Sequence, residues 1–293
     1  AVDYGYNFSI ISYGRCLSRN RNPEKCLQNG KRYGIIDGIL YGKEESSMAY
    51  NYRMLIQYDG TRYAGWQKQG NTDATVQGKF EQLLSRLYGY EIEVFGAGRT
   101  DAGVHAAGQV ANFKLETQED TEELMKKINQ YLPEDIAVIQ LEEAEARFHS
   151  RLNAKGKTYV YRIWNSSVPN VFERRFVLRL AEKLDIETMR AAARELTGTH
   201  DFRAFCSLKR YKKSTVRSIY SLEIEEEGPE IRLIVRGDGF LYNMVRILAG
   251  TLIEVGLGER KPEEMQTILA SEDRLQAGYT APPQGLILQE VWY

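Results

Sequence analysis

Gly96-Ala97-Gly98-Arg99-Thr100-Asp101-Ala102-Gly103-Val104-His105-Ala106 lies between two runs with strand character, Ile92–Phe95 and Gln109–Leu115. Three glycines in eight residues let the backbone turn sharply and approach a ligand closely. The spacing is not that of a dinucleotide loop. Gly96, Gly98 and Gly103 do not form G-x-G-x-x-G, and a strand-like run rather than a helix follows them. The stretch therefore reads as a β-turn-β element. Arg99 and Asp101 stand two positions apart in it, and a cation beside a carboxylate favours its ionised form. The alternative for Asp101 is a plain turn residue bonding to nearby backbone N–H groups.

Working outward, Arg53–Tyr58 alternates as a strand, with Met54, Ile56 and Tyr58 on one face. A long polar loop, Asp59–Thr75, carries Trp66 as an exposed-type residue; loops of such length are usually functional or mobile. Val76, Phe80, Leu83, Leu84 and Leu87 fall on a helical stripe, with Thr75 placed to cap it and Gly89 to end it. After the turn, Thr121 is expected to cap a second helix whose Leu124, Ile128 and Tyr131 face the core, and Ile136–Leu141 to form a strand. The order β-α-β-β-α-β builds a split unit with helices on one face of an antiparallel sheet. The second half repeats it: a strand at Thr158–Trp164, a helix capped by Asp185, strands Val216–Glu225 and Ile231–Arg236, helices Phe240–Gly256 and Pro262–Leu269, and a last strand Leu286–Trp292. The expected fold class is α+β: two related halves, each a mainly antiparallel sheet with helices on one face, and a cleft between them, where ligand sites tend to lie. The divisions expected are 48–150, carrying the loop, and 151–293. Residues 1–47 show no sustained periodicity; Met48 after Ser46-Ser47 reads as the natural start, with the preceding segment either upstream translation or a genuine appendage.

The sequence has 293 residues, 43% hydrophobic and 27% charged, as in ordinary globular proteins. No apolar run approaches a membrane span, and no secretory signal is evident. Cys16, Cys26 and Cys206 have neither metal-ligand nor disulfide-framework spacing, and His105, His149 and His200 are far apart in sequence, so no metal is expected. A cytoplasmic setting fits. Net charge is −1, so any nucleic-acid binding must come from local clustering rather than from the overall field. Lys209, Arg210, Lys212, Lys213 and Arg217, with Tyr211 among them, form such a cluster or a solvated loop.

Six elements, in order from about residue 52 to 293, resemble the tRNA pseudouridine synthase A (TruA) family. They are Tyr58-Asp59-Gly60-Thr61 with Gly65-Trp66-Gln67, the GAGRTDAGVHA stretch itself, Phe148-His149-Ser150-Arg151, Lys157-Thr158-Tyr159-Val160-Tyr161, Asp201-Phe202-Arg203-Ala204-Phe205, and Phe240-Leu241-Tyr242-Asn243-Met244-Val245-Arg246. The resemblance implies isomerisation of uridine to pseudouridine at positions 38, 39 and 40 of tRNA, in the anticodon stem-loop, by a homodimer. The implied partner is tRNA, with neither DNA nor a membrane. That reaction needs no cofactor, and no nicotinamide, ATP or metal motif is present. The resemblance implies Asp101 as the nucleophile, Tyr159 against the target base, Arg246 paired with Asp101, and Arg99 in nucleotide extrusion or phosphate binding. Arg246 lies on a helix apolar almost all round, and a buried arginine is rarely unpaired. His105, His149 and Arg151 are candidate phosphate contacts, with packing roles as the alternative. The competing readings are an RNA-binding protein of this fold without catalysis and a glycosidase-like hydrolase, which would need a second carboxylate near Asp101.

Overall fold

A computed structural model describes residues 33–36, 39–42, 49–208 and 213–293. Within the first of two compact units, β1 (Tyr33–Ile36) and β2 (Ile39–Gly42) pair antiparallel. The expectation for residues 1–47 otherwise lies outside the described residues. The second unit runs from Ala49 to Tyr293.

Its first half contains β3 (Tyr50–Tyr58), α1 (Val76–Tyr88), β4 (Phe95–Gly96), β5 (His105–Leu115), α2 (Thr121–Tyr131) and β6 (Ile136–Ala144). β3 lies antiparallel between β6 and β5, and β4 pairs with the far edge of β5, giving the split order β6-β3-β5-β4. The second half contains β7 (Gly156–Asn165), β8 (Leu178–Leu180), α3 (Ile186–Glu195), β9 (Gly198–Asp201), β10 (Val216–Glu227), β11 (Glu230–Gly237), α4 (Met244–Gly256), α5 (Glu264–Ser271) and β12 (Leu286–Trp292). Its order β12-β7-β11-β10 repeats that of the first half, with β9 added beyond β10 and β8 beside β7. The fold is α+β with two related halves. The last strand joins them: β12 is antiparallel to β7 and parallel to β5, with Ile287 opposite His105 and Leu288 opposite Ala106. One ten-stranded sheet results.

One face of that sheet is apolar across both halves. Tyr52, Met54, Ile56 and Tyr58 of β3, Tyr159, Tyr161 and Ile163 of β7, and Leu286 and Leu288 of β12 are all buried. Each such side chain contributes roughly 1.5–3 kcal/mol by leaving water. A one-residue slip would turn the whole set outward, so this face fixes the register. Helix α1 adds Val76, Phe80 and Leu84; Thr75 Oγ1 accepts from Gly78 N–H at its start, and Gly89 ends it at φ 79°. Every residue of α4 is buried except Arg246 and Glu254.

Several local expectations are corrected. Trp66 is 2% exposed rather than a loop-surface residue. Gly96 sits on its indole, where a Cβ would come within 2.4 Å of the ring. The cap of α2 is Asp120, whose side chain accepts from the N–H groups of Glu122 and Glu123; Thr121 is the first helical residue. Tyr131 continues the Leu124–Ile128 stripe but is exposed, being the last residue of α2. The run Ile92–Phe95 buries Ile92 and Val94 but gives only Phe95 to the ladder, where the strand is Phe95–Gly96. Helix α4 begins at Met244, since Asn243 takes a left-handed conformation at φ 61°. Among the described residues, no helix is long and apolar enough to cross a membrane.

Candidate active site

The loop between β4 and β5 is built against the loop that follows β3. Trp66 N–H donates to Thr100 O at 3.0 Å, Gly103 N–H donates to Tyr63 O at 3.2 Å, and the hydroxyls of Tyr58 and Thr100 share a buried hydrogen bond of 2.7 Å. Gly65 makes the approach possible. It has φ +98°, and a Cβ there would stand 2.6 Å from Thr100 O. Within the turn, Val104 N–H donates to Asp101 O at 3.1 Å. The backbone on both sides of Asp101 is therefore held, and its side chain keeps 23% of its exposure.

The cation beside Asp101 comes from the other half of the molecule. Arg246 Nη1 lies 3.7 Å from Asp101 Oδ2. Arg246 is itself fixed: Nε donates to Ala281 O at 2.7 Å and Nη1 donates to Asn243 Oδ1 at 3.0 Å, while Asn243 Nδ2 donates to Ser207 Oγ. Sequence neighbourhood pointed to Arg99 for this place. Arg99 is exposed instead, and its Nε donates to Gln67 Oε1 at 2.9 Å. Burial pushes the Asp101 carboxyl above its usual value, and Arg246 opposes the shift without cancelling it. The expectation that a neighbouring cation dominates is reversed, because desolvation is the larger effect here.

Tyr159 projects from the buried face of β7, with Phe240 set edge-on to its ring at a centroid distance of 5.2 Å. Among the described residues its hydroxyl has no hydrogen-bond partner. Burial, with Tyr58 and Asp101 nearby, pushes its ionisation well above the usual tyrosine value, so the phenol stays neutral at physiological pH. Tyr161, two residues on, donates to Pro282 O and is a core residue. The structure thus brings Asp101, Tyr159 and Arg246 together where the halves meet, with Arg99 at the exposed rim.

The remaining expected residues divide. His105 is 2% exposed, packs on Phe176, and its Nδ1 accepts from Gly60 N–H at 3.0 Å. Burial lowers its pKa against the pull of Asp59. It braces the loop and offers no surface for a phosphate. His149 is half-buried against Phe95, with Nδ1 accepting from Arg151 N–H; Arg151 itself is exposed. In the expected basic cluster, Lys213 is exposed and Arg217 half-buried, and residues 209–212 lie outside the described residues. Among the described residues no group of three or more His, Cys, Asp or Glu gathers as a metal cluster.

Sequence reading missed the supports of Arg246. Asn243 carried a signal, being of a residue type enriched in left-handed conformation directly before an apolar helix. Ala281 acts through its carbonyl and carried none. The Tyr58–Thr100 pair and Lys157 were also missed.

A sequence model of the family described as "tRNA pseudouridine synthase" matches residues 54–153 and 192–293. A protein of Bacillus sp. (strain KSM-64) named tRNA pseudouridine synthase A is 51% identical over 241 residues, covering 82% of this chain and 98% of that protein. One of Bacillus cereus (strain ATCC 14579), named tRNA pseudouridine synthase A 2, is 47% identical over 83% of this chain and 99% of its own. A protein of the latter name from Clostridium tetani is 45% identical over 84% of this chain and 100% of its own.

Proposed function

The chain belongs to the tRNA pseudouridine synthase family, and from that membership we propose that it isomerises uridine to pseudouridine in tRNA, with Asp101 as its nucleophile. The reaction breaks the bond from C1′ to N1, turns the uracil, and forms a bond from C1′ to C5. C5 gives up a proton and N1 gains one, so nothing is oxidised and nothing is transferred from outside. A carboxylate can carry the covalent intermediate that holds one fragment while the base turns. Arg246 keeps that carboxylate in place and favours its charged form. Tyr159 presents a ring for the base to lie against and a neutral hydroxyl beside the carbon that loses its proton. Arg99, at the rim, reaches the nucleotide or its phosphate as the base leaves the stack, a step that costs a few kcal/mol of unstacking.

The observation that carries this reading is the meeting of Asp101 and Arg246, from opposite halves of the chain, at 3.7 Å beside Tyr159. The target positions are taken as 38, 39 and 40 of tRNA, the working form as a homodimer, and the compartment as the cytoplasm, all by family membership. The test is incubation with unmodified tRNA followed by mapping of pseudouridine. Wild-type protein is expected to modify those positions, and Asp101→Asn to modify none. Burial raises the Asp101 pKa, so the folded state holds that proton more tightly than the unfolded chain does. Its charge therefore works against stability at neutral pH, and Asp101→Asn should keep a melting temperature at or above that of the wild type. Tyr159→Phe should keep tRNA affinity and lose product if the hydroxyl handles the proton. Turnover by Asp101→Asn would falsify the nucleophile assignment.

A further inference from the structure

Lys157 is a cation on the active-site face to which the chemistry above gives no task. It stands two residues before Tyr159 on β7, so the pleat turns both side chains to the same face, about 6.6 Å apart along the strand. The opposite position on β11 is Gly237, which has no side chain to crowd it. The lysine chain lies across Gly98: a Cβ on that glycine would come 2.9 Å from Nζ and 3.4 Å from Cε. The ammonium is thus set against the backbone of the loop that carries Arg99 and Asp101.

Among the described residues no carboxylate and no hydrogen-bond acceptor partners that ammonium. The charged groups that act on it are Arg151, exposed in the segment after β6, and Arg217 on β10; both are cations. Burial and these two neighbours pull its pKa down to about 8. A half-buried cation among cations is costly unless an anion joins it. In a chain of net charge −1, no excess of positive charge explains the gathering. A phosphodiester would supply the missing acceptor oxygens and charge together.

We propose that Lys157, flanked by Arg151 and Arg217, holds one of the two backbone phosphates beside the target uridine and so positions that nucleotide over Asp101 and Tyr159. This rests on the reading of the site as one that takes uridine in RNA. Lys157 is a positioning residue: a phosphate contact sets register and orientation without reading the base.

The test is binding of an anticodon stem-loop RNA across a range of salt, to the wild type, Lys157→Gln and Lys157→Arg. The RNA is used unmodified and with a neutral methylphosphonate at either linkage flanking the target. Lys157→Gln is expected to bind about tenfold more weakly, with a slope of log affinity against log salt shallower by about 0.7–0.9. Lys157→Arg is expected to keep the wild-type slope. One of the two neutral linkages should weaken the wild type and leave Lys157→Gln unaffected. Wild-type affinity and slope in Lys157→Gln would overturn the proposal, as would a wild type indifferent to both neutral linkages. The second result needs no variant and so decides the matter even if Lys157→Gln fails to fold. The readout is binding, not turnover. A wild type that binds the stem-loop and makes no pseudouridine defeats the functional reading above, whereas a turning-over wild type with no Lys157 effect defeats only this one.

Discussion

At Asp101 two physical effects oppose each other. Burial raises the carboxyl pKa and the Arg246 guanidinium lowers it, and burial wins. An activity that needs the ionised carboxylate should therefore have its acid limb above the ordinary aspartate value near 4. Replacing Arg246 by Gln removes the opposing effect, so the acid limb of kcat/KM should move to still higher pH. The rate on the plateau should also fall by about 100-fold, because the carboxylate loses the group that positions it. A limb that stays in place or moves down would mean that Arg246 does not act on the ionisation of Asp101. Asp101, Tyr159 and Arg246 were expected together only through the family resemblance of the motifs that carry them; residue chemistry alone left Asp101 open as a plain turn residue. Adjacency in the chain put Arg99 beside Asp101, while folding brings Arg246 there from 145 residues further along. Residues that act through a backbone carbonyl, as Ala281 does, leave no mark in side-chain chemistry.

The elements were readable where periodicity was long and blurred where a cap or a buried loop decided the matter. The stripe of α1 and the last strand, Leu286–Trp292, follow directly from the spacing of their apolar residues. The start of α2 does not, since Asp120 and Thr121 both have capping side chains and only the backbone conformation chooses between them. Asp120 holds an extended backbone and accepts two helix N–H groups, at 3.1 Å from Glu122 and 2.9 Å from Glu123. Asp120→Ala should accordingly cost about 1 kcal/mol of stability, read as a lowered melting temperature with kcat/KM unchanged. Thr121→Ala should cost little. Equal losses from the two would show that the cap is shared. Trp66 went wrong for a different reason. A tryptophan in a polar loop reads as exposed, and its burial depends on Gly96, thirty residues away, leaving room for the ring.

For the molecule as a whole, the repeat of a split β-α-β unit was visible in the order of predicted elements, but how the two copies combine was not. Pairing between distant strands has no signature in either strand. The structure uses β12 as the seam: Leu288 is fully buried, lies opposite Tyr159 on one side and Ala106 on the other, and so touches both halves. Asp101 comes from one side of that seam, and Tyr159 and Arg246 from the other. The geometry of the site is therefore a property of the joined sheet. Leu288→Ala in the full-length chain removes a buried side chain at the junction and should cost about 2–5 kcal/mol. If the seam couples the halves, two consequences follow. Residues 49–293 should unfold in one transition, with far-ultraviolet circular dichroism and tryptophan fluorescence coinciding both in the wild type and in the variant. The variant should also lose turnover at temperatures where both signals still report a folded protein, because a shift of about 1 Å between carboxylate and substrate is enough to cost 100-fold in rate. Two separate transitions, or a destabilised variant with wild-type turnover below its melting point, would mean that each half holds its share of the site without help from β12.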